Sequence, residues 1–352
     1  MTPTPQAGHR RAAGAASRLR AGLAACLLLA GALLALLPIP AAAQDASTLK
    51  AKYAAVQDKL ANNQFGRPIF LESRQTSDDL RGDIYSLVEY PFATVEQALQ
   101  KVDHWCDIFI LHLNVKGCSS TGSGGKGHLS LAVGRKFDQP VDEAYKLEFD
   151  YRLVTASSEY LQIQLSADEG PLSTRNYRIQ LEAVPLDASR SFIHMSYAYG
   201  YGFAARMAMN AYLATIGSAK VGFSFTERKA DGSPAYIGGV LGLVERNTMR
   251  YYLAIDAYLA AYNLPPAAQP ERRIVTWYDA TERYATQLHE MDRAEYLEMK
   301  RNEMRRQKQG VAGSGPAATA TGGSAASAAG GPAAGAASAS AASASGTGAY
   351  RN

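Results

Sequence analysis

Four stretches of this chain alternate large apolar and polar side chains with a period of two. EAYKLEFDYRLV puts Tyr145, Leu147, Phe149, Tyr151 and Leu153 on one side and Lys146, Glu148, Asp150 and Arg152 on the other. EYLQIQLSA sets Leu161, Ile163 and Leu165 against Gln162 and Gln164, and NYRIQLEAV sets Tyr177, Ile179 and Leu181 against Arg178, Gln180 and Glu182. HLSLAVGRKF groups Leu129, Leu131 and Val133. Successive strand residues point to opposite faces, so each stretch predicts an antiparallel strand with one buried and one wet face. The links DQPVDE, ADEGPLSTR and PLDAS are of hairpin length.

The next stretch, SFIHMSYAYGYGFAARMAMNAYLATIG, is more extreme. Ile193, Met195, Tyr197, Tyr199, Tyr201 and Phe203 are large, whereas the residues between them shrink from His194 through Ser196 and Ala198 to Gly200 and Gly202. An Ala/Met-rich helical pattern follows. An antiparallel sheet with one apolar face needs a cover, and this helix is the nearest candidate. Its alanines allow close approach, and Met209 fills irregular gaps. His194, on the small-residue face, reads as a surface or satisfied histidine.

Upstream, Ala46 to Ala61 has the spacing of an amphipathic helix. RPIFLESRQTSDDLRGDIYSLVEYPF reads as two extended pieces around a polar turn. ATVEQALQKV is a short helix with Thr94 as N-cap, and DHWCDIFILHL is a second short helix. GDIYSLVEYPFATVEQALQKVDHWC, followed by the strand run and a helix, resembles the START-related (SRPBCC) helix-grip superfamily over about residues 83–217. The resemblance implies an α+β fold. A curved antiparallel sheet of strand, two helices and six strands grips a C-terminal helix, here with extra N- and C-terminal helices. It also implies binding of lipids, sterols, polyketides or aromatic metabolites, with cyclases or hydrolases as a minority. Either the Ala/Met helix or TMRYYLAIDAYLAAYNL fits the gripped position. Between them, Asp231-Gly232 signals a hairpin. Beyond Pro265 and Pro266, TWYDATERYATQLHEMDRAEYLEMKRNEMRR reads as one long amphipathic helix with a Tyr284, Leu288, Met291 stripe and a solvated basic end.

The expected boundaries are a signal peptide over 1–43, an N-terminal helix over 44–66, a helix-grip domain over 67–265, a helical extension over 266–308 and an Ala/Gly/Ser-rich tail over 309–352. The leader rests on a basic start, an apolar run from Ala21 to Leu37 and a small-residue site at Ala41 to Ala43. It predicts export to the periplasm or beyond. Four of the 36 basic residues lie in it, which leaves 32 against 32 acidic ones. A near-neutral chain without a basic core block argues against nucleic acid as partner.

Removal of Cys26 leaves Cys106 and Cys118. These are readable as a disulfide, as two unlinked thiols, or with His104 and His112 as a metal set, and export favours oxidation. GSGGKG at 122–127 lacks Walker spacing and reads as a hairpin tip. No G-x-S-x-G elbow is present, and the sequence specifies no catalytic residue, metal or cofactor.

Tyrosine is an odd core filler, because each buried hydroxyl needs a partner. Tyr145, Phe149, Tyr151, Tyr177, Ile193, Met195, Tyr197, Tyr199, Tyr201 and Met209 are therefore the expected lining of a cavity. The expected ligand is a hydrophobic or amphipathic small molecule, lipid- or sterol-like, carried or sensed without catalysis. The alternatives are a cyclase- or hydrolase-type enzyme on the same fold, and an interaction module whose C-terminal helix meets an envelope protein or a membrane surface.

Overall fold

A computed structural model of the protein describes residues 1, 41–214 and 220–313. The chain divides into two compact units, Met1–Gln44 and Asp45–Asn352, and the architecture below is that of the second. Of the predicted leader (1–43), residues 2–40 lie outside the described residues, as do residues 314–352 of the predicted tail (309–352).

The order is α1 (Ala41–Ala61), β1 (Ile69–Gln75), β2 (Asp79–Val88), α2 (Phe92–Leu99), α3 (Val102–Phe109), β3 (Val115–Ser123), β4 (Lys126–Val133), β5 (Tyr145–Ser157), β6 (Tyr160–Glu169), β7 (Thr174–Pro185), β8 (Ser191–Tyr201), α4 (Phe203–Ala214), β9 (Phe225–Arg228), β10 (Pro234–Tyr236), α5 (Gly239–Tyr262), α6 (Gln269–Glu282), α7 (Ala285–Leu288) and α8 (Arg293–Gly313). Strands β1 to β8 form one curved antiparallel sheet in the order β1-β2-β8-β7-β6-β5-β4-β3. From β2 onward this is the expected strand, helix pair and six strands. β1 is an added edge strand, hairpinned to β2 with Ile69 opposite Ser86 and Gln75 opposite Leu80.

The gripped helix is α5, not the Ala/Met-rich α4. Contact with β2 decides it. A Cβ placed on Gly82 would lie 2.2 Å from Thr248 Oγ1, so only glycine lets α5 come this close. Thr248 Oγ1 in turn donates to Val244 O at 2.8 Å. The loop before α5 is held by Glu245. Its carboxylate is fully buried and accepts from Ser73 Oγ, Phe223 N–H, Ser224 N–H and Ser224 Oγ at 2.6–2.9 Å. The predicted turn at Asp231-Gly232 joins β9 to β10, with Gly232 at φ 81°. α2 begins directly after Pro91, so Thr94 lies inside the helix rather than capping it.

Two further expectations fail at the C-terminus. The predicted single long helix is three, α6, α7 and α8. Its basic end is solvated on one face only: Arg301, Arg305 and Lys308 are exposed, whereas Tyr296, Met299, Lys300 and Glu303 are buried on the side that meets β3. Glu303 takes Lys116 Nζ on one oxygen at 2.9 Å and Lys300 Nζ on the other at 2.7 Å, all three side chains being wholly buried. Trp277 stacks on Tyr296 at 5.0 Å, and Tyr296 Oη donates to Leu111 O. Cys106 and Cys118 form a disulfide, S–S 2.01 Å, which ties α3 to β3 and leaves no thiolates for a metal.

α1 covers part of the outer face of the sheet. Leu49, Val56 and Leu60 pack with Tyr85, Tyr160, Val184 and Phe192. Every residue of β8 is buried, and His194 is buried rather than at the surface.

Candidate functional site

The inner face of the sheet and the helices lying in it meet in a circuit of aromatic rings. Period-two alternation aims Phe149, Tyr177 and Tyr197 inward from β5, β7 and β8. Helical spacing brings Tyr251 from α5 and Phe109 from α3. Ring centroids run Tyr177 to Tyr197 6.5 Å, Tyr197 to Tyr251 5.2 Å, Tyr251 to Phe109 5.8 Å, Phe109 to Phe149 6.0 Å and Phe149 to Tyr177 6.2 Å, so the circuit closes. Tyr199 stacks on Tyr177 at 5.4 Å, and His112 stacks on Tyr251 at 4.8 Å. Each separation lies within the favourable range for aromatic pairs.

The polar atoms here are unevenly satisfied. Tyr151 Oη donates to Gln100 O at 2.7 Å, and Tyr177 Oη donates to Thr174 Oγ1 at 2.9 Å. Tyr201, at the end of β8, accepts from Gln75 Nε2 at 3.0 Å. Tyr199 Oη is buried and has no hydrogen-bond partner among the described residues, and the same holds for His112 Nε2. His112 Nδ1 accepts the Asn114 N–H at 3.2 Å, which assigns the ring proton to Nε2. Burial, and then the nearby Arg250, Lys300, Lys136 and Lys116 charges, push the imidazole well below its ordinary pKa. His112 is therefore a neutral ring presenting one unpaired N–H. Burial raises Tyr177 to about 12 and Tyr197 and Tyr199 above the normal phenol range, so all three stay protonated.

The expected lining residues divide. Phe149, Tyr151, Tyr177, Ile193, Met195, Tyr197, Tyr199, Tyr201 and Met209 are all buried. Tyr145 is 41% exposed. It pairs with Val133 where β4 and β5 both end, past the covered part of the sheet. Tyr251, Phe109 and His112 escape a strand-based reading. Helical periodicity gives each a face but not a partner.

Near this interior, a surface cleft of about 690 Å³ opens between the α2–α3 junction and the Gly-rich β3–β4 hairpin. Tyr151 lines it together with Gln100, Val102 and Leu153.

On the opposite face of the sheet, His194 is the centre of an ionic chain. Nδ1 bonds Glu182 Oε2 at 2.7 Å and Nε2 bonds Asp83 Oδ1 at 2.9 Å. Asp83 also receives Arg81, and Glu182 receives Tyr160 Oη. Burial opposes charge on His194, but the bonds to Asp83 and Glu182 outweigh it and raise its pKa.

No protein-family model matches the chain, and no curated protein does. Among solved structures it is similar to an aromatase/cyclase from a Streptomyces species, at 14% identity over 56% of this chain and 96% of that one, TM-score 0.30. It is also similar to norcoclaurine synthase from Thalictrum flavum, at 14% identity over 40% and 84%, TM-score 0.27. A protein from Thermus thermophilus matches at 9% identity over 53% and 99%, TM-score 0.34. Scores of this size carry no argument about function. The strand order, the curved sheet and the helix held in it give the chain a START-like helix-grip fold.

Proposed function

We propose that the protein is an exported binding protein for an amphipathic small molecule with a flat apolar body, held between the sheet and α5. The aromatic circuit, with two unpaired polar atoms beside it, carries this reading. A buried hydroxyl or N–H without a partner costs about 1–3 kcal/mol. A ligand bearing an acceptor would relieve that cost at His112 Nε2, and a donor or acceptor would do so at Tyr199 Oη. Apolar surface removed from water would supply the rest, at about 25 cal/mol per Å². The cleft beside the Gly-rich hairpin is the proposed way in. Export is supported by the leader pattern and by the Cys106–Cys118 disulfide, a bond that persists in oxidising compartments.

Native mass spectrometry of gently purified protein tests this. A co-purifying small molecule, lost in Tyr197→Ala and Tyr251→Ala variants that keep their fold, is the expected result. No bound mass and no binding of an environment-sensitive apolar dye would refute it. N-terminal sequencing of the exported form should begin at Gln44.

One observation favours the enzyme reading. His112 is an ionisable side chain on the aromatic side of the sheet, held neutral with a free N–H, and could polarise a ligand carbonyl. Incubation of the loaded protein separates the two readings. A carrier returns its ligand unchanged, whereas an enzyme converts it and His112→Asn returns it intact.

A further inference from the structure

The outer face of the sheet holds a second feature, and it explains the shrinking residues of β8. A groove of about 570 Å³ crosses strands β1, β2, β8, β7, β6 and β5. One line of paired residues runs Arg74, Arg81, Ala198, Arg178, Ser166, Asp150. The next runs Asp83, Ser196, Gln180, Gln164, Arg152. Ser196 and Ala198 form the floor, only 3% and 6% exposed beneath the longer side chains around them. The small side of β8 therefore makes a furrow with arginine walls.

The charges in this groove are incompletely matched. Arg81 is held by Asp83. Arg178 approaches Asp79 only at 3.7 Å, and Asp150 is taken by His128 at 2.7 Å. Among the described residues, Arg74 and Arg152 have no acidic partner within ion-pair distance, and Arg74 lies directly opposite Arg81 on the neighbouring strand. Like charges in that relation destabilise a strand pair unless something neutralises them. Ser196 lines the floor, is nearly fully buried, and its hydroxyl makes no hydrogen bond among the described residues. The site thus offers two free guanidiniums on opposite walls and an unused hydroxyl between them. Five interstrand steps separate β1 from β5, about 24 Å of backbone before curvature.

We propose that this groove binds an elongated small-molecule anion bearing oxyanion groups, carboxylate or phosphate, towards both ends. Arg74 and Arg152 grip the ends as forked donors, Arg178 and Gln164 flank the middle, and Ser196 bonds it from below. The site is separate from the aromatic interior and does not rest on it.

Isothermal titration at low ionic strength tests the proposal, with tripolyphosphate and trigalacturonate as anionic probes and maltotriose as the neutral one. The expected result is that one or both anions bind and maltotriose does not. Affinity should fall as salt rises. The Arg74→Gln/Arg152→Gln double variant, altered only at exposed positions, should bind at least tenfold more weakly. Arg293→Gln, altered at the Asp279 pair away from the groove, should bind as the parent does. Which anion binds decides between phosphate and carboxylate. The proposal falls if neither anion binds at millimolar concentration, or if the double variant binds like the parent. It also falls if sedimentation shows a dimer that Arg178→Glu dissociates, since a second copy would then occupy the face.

Discussion

His194 carries hydrogen bonds to carboxylates on both ring nitrogens, so it needs both protons and a positive charge. Burial works to raise Asp83 and Glu182, but their bonds to His194 win and both lie below the ordinary carboxylate range. The raised histidine contributes stability fully below its unfolded pKa, and loses it as pH rises through the folded value. The depressed carboxylates contribute above their unfolded pKa and lose it as pH falls. The cluster is therefore most stabilising between about pH 5 and 6.5. His194→Leu leaves two buried carboxylates facing each other. Denaturant unfolding at pH 6 should show a loss of about 3–5 kcal/mol, narrowing as pH rises through the raised folded-state pKa of His194 and the parent loses that proton. A second residue-scale prediction concerns Gly82. Gly82→Ala should cost about 1–3 kcal/mol through overpacking, and a double-mutant cycle with Thr248→Ala should recover part of it. A full cost unchanged by Thr248→Ala would show that the close approach of α5 is not the cause. The sequence shows that His194 falls on the small side of its strand. It does not show that α1 covers that side or that Asp83 and Glu182 flank it, because register across β2, β8 and β7 comes only from the assembled sheet.

Among elements, α8 gives the sharpest contrast. Two buried lysines share one glutamate. Burial is the largest influence on both lysines and lowers their pKa, against the pull of Glu303. Lys300→Met removes one desolvated cation but orphans the carbonyls of His112 and Val115, at an expected cost of about 1–3 kcal/mol. Glu303→Leu leaves two buried cations without a counter-charge and should cost about 3–5 kcal/mol. Thermal unfolding of the two variants should rank them in that order, and the reverse ranking would refute the shared-carboxylate account. Loss of the disulfide in Cys106→Ala/Cys118→Ala should lower stability by about 3 kcal/mol, the entropy of a loop of 12 residues. Strand elements were readable because alternation survives in EAYKLEFDYRLV and its neighbours. The identity of the gripped helix was not, because the stretch ERNTMR within α5 hides in polar letters. Glu245, Arg246, Asn247, Thr248 and Arg250 are all buried, and each looks like a solvent-facing residue until its partner is known. Lys300 and Glu303 misled in the same way, reading as a wet helix end.

For the whole molecule, the C-terminal helices belong to the domain rather than trailing from it, and one face of α8 is given to internal packing while Glu298, Arg301, Arg305 and Lys308 stay exposed. Removing residues 291–352 should strip Tyr296, Met299 and the lysine–glutamate cluster from the core. A monomeric, ligand-retaining truncation in gel filtration would contradict this. The last turns of α8 have one more consequence. Gln307 Oε1 accepts the Cys118 N–H on β3, the outermost strand of the sheet, across 189 positions of sequence. An uncovered strand margin is an invitation to pair with a neighbour. While the ribosome is still adding those positions, β3 has no guard, so the emerging polypeptide passes through a sticky interval that ends only when α8 arrives.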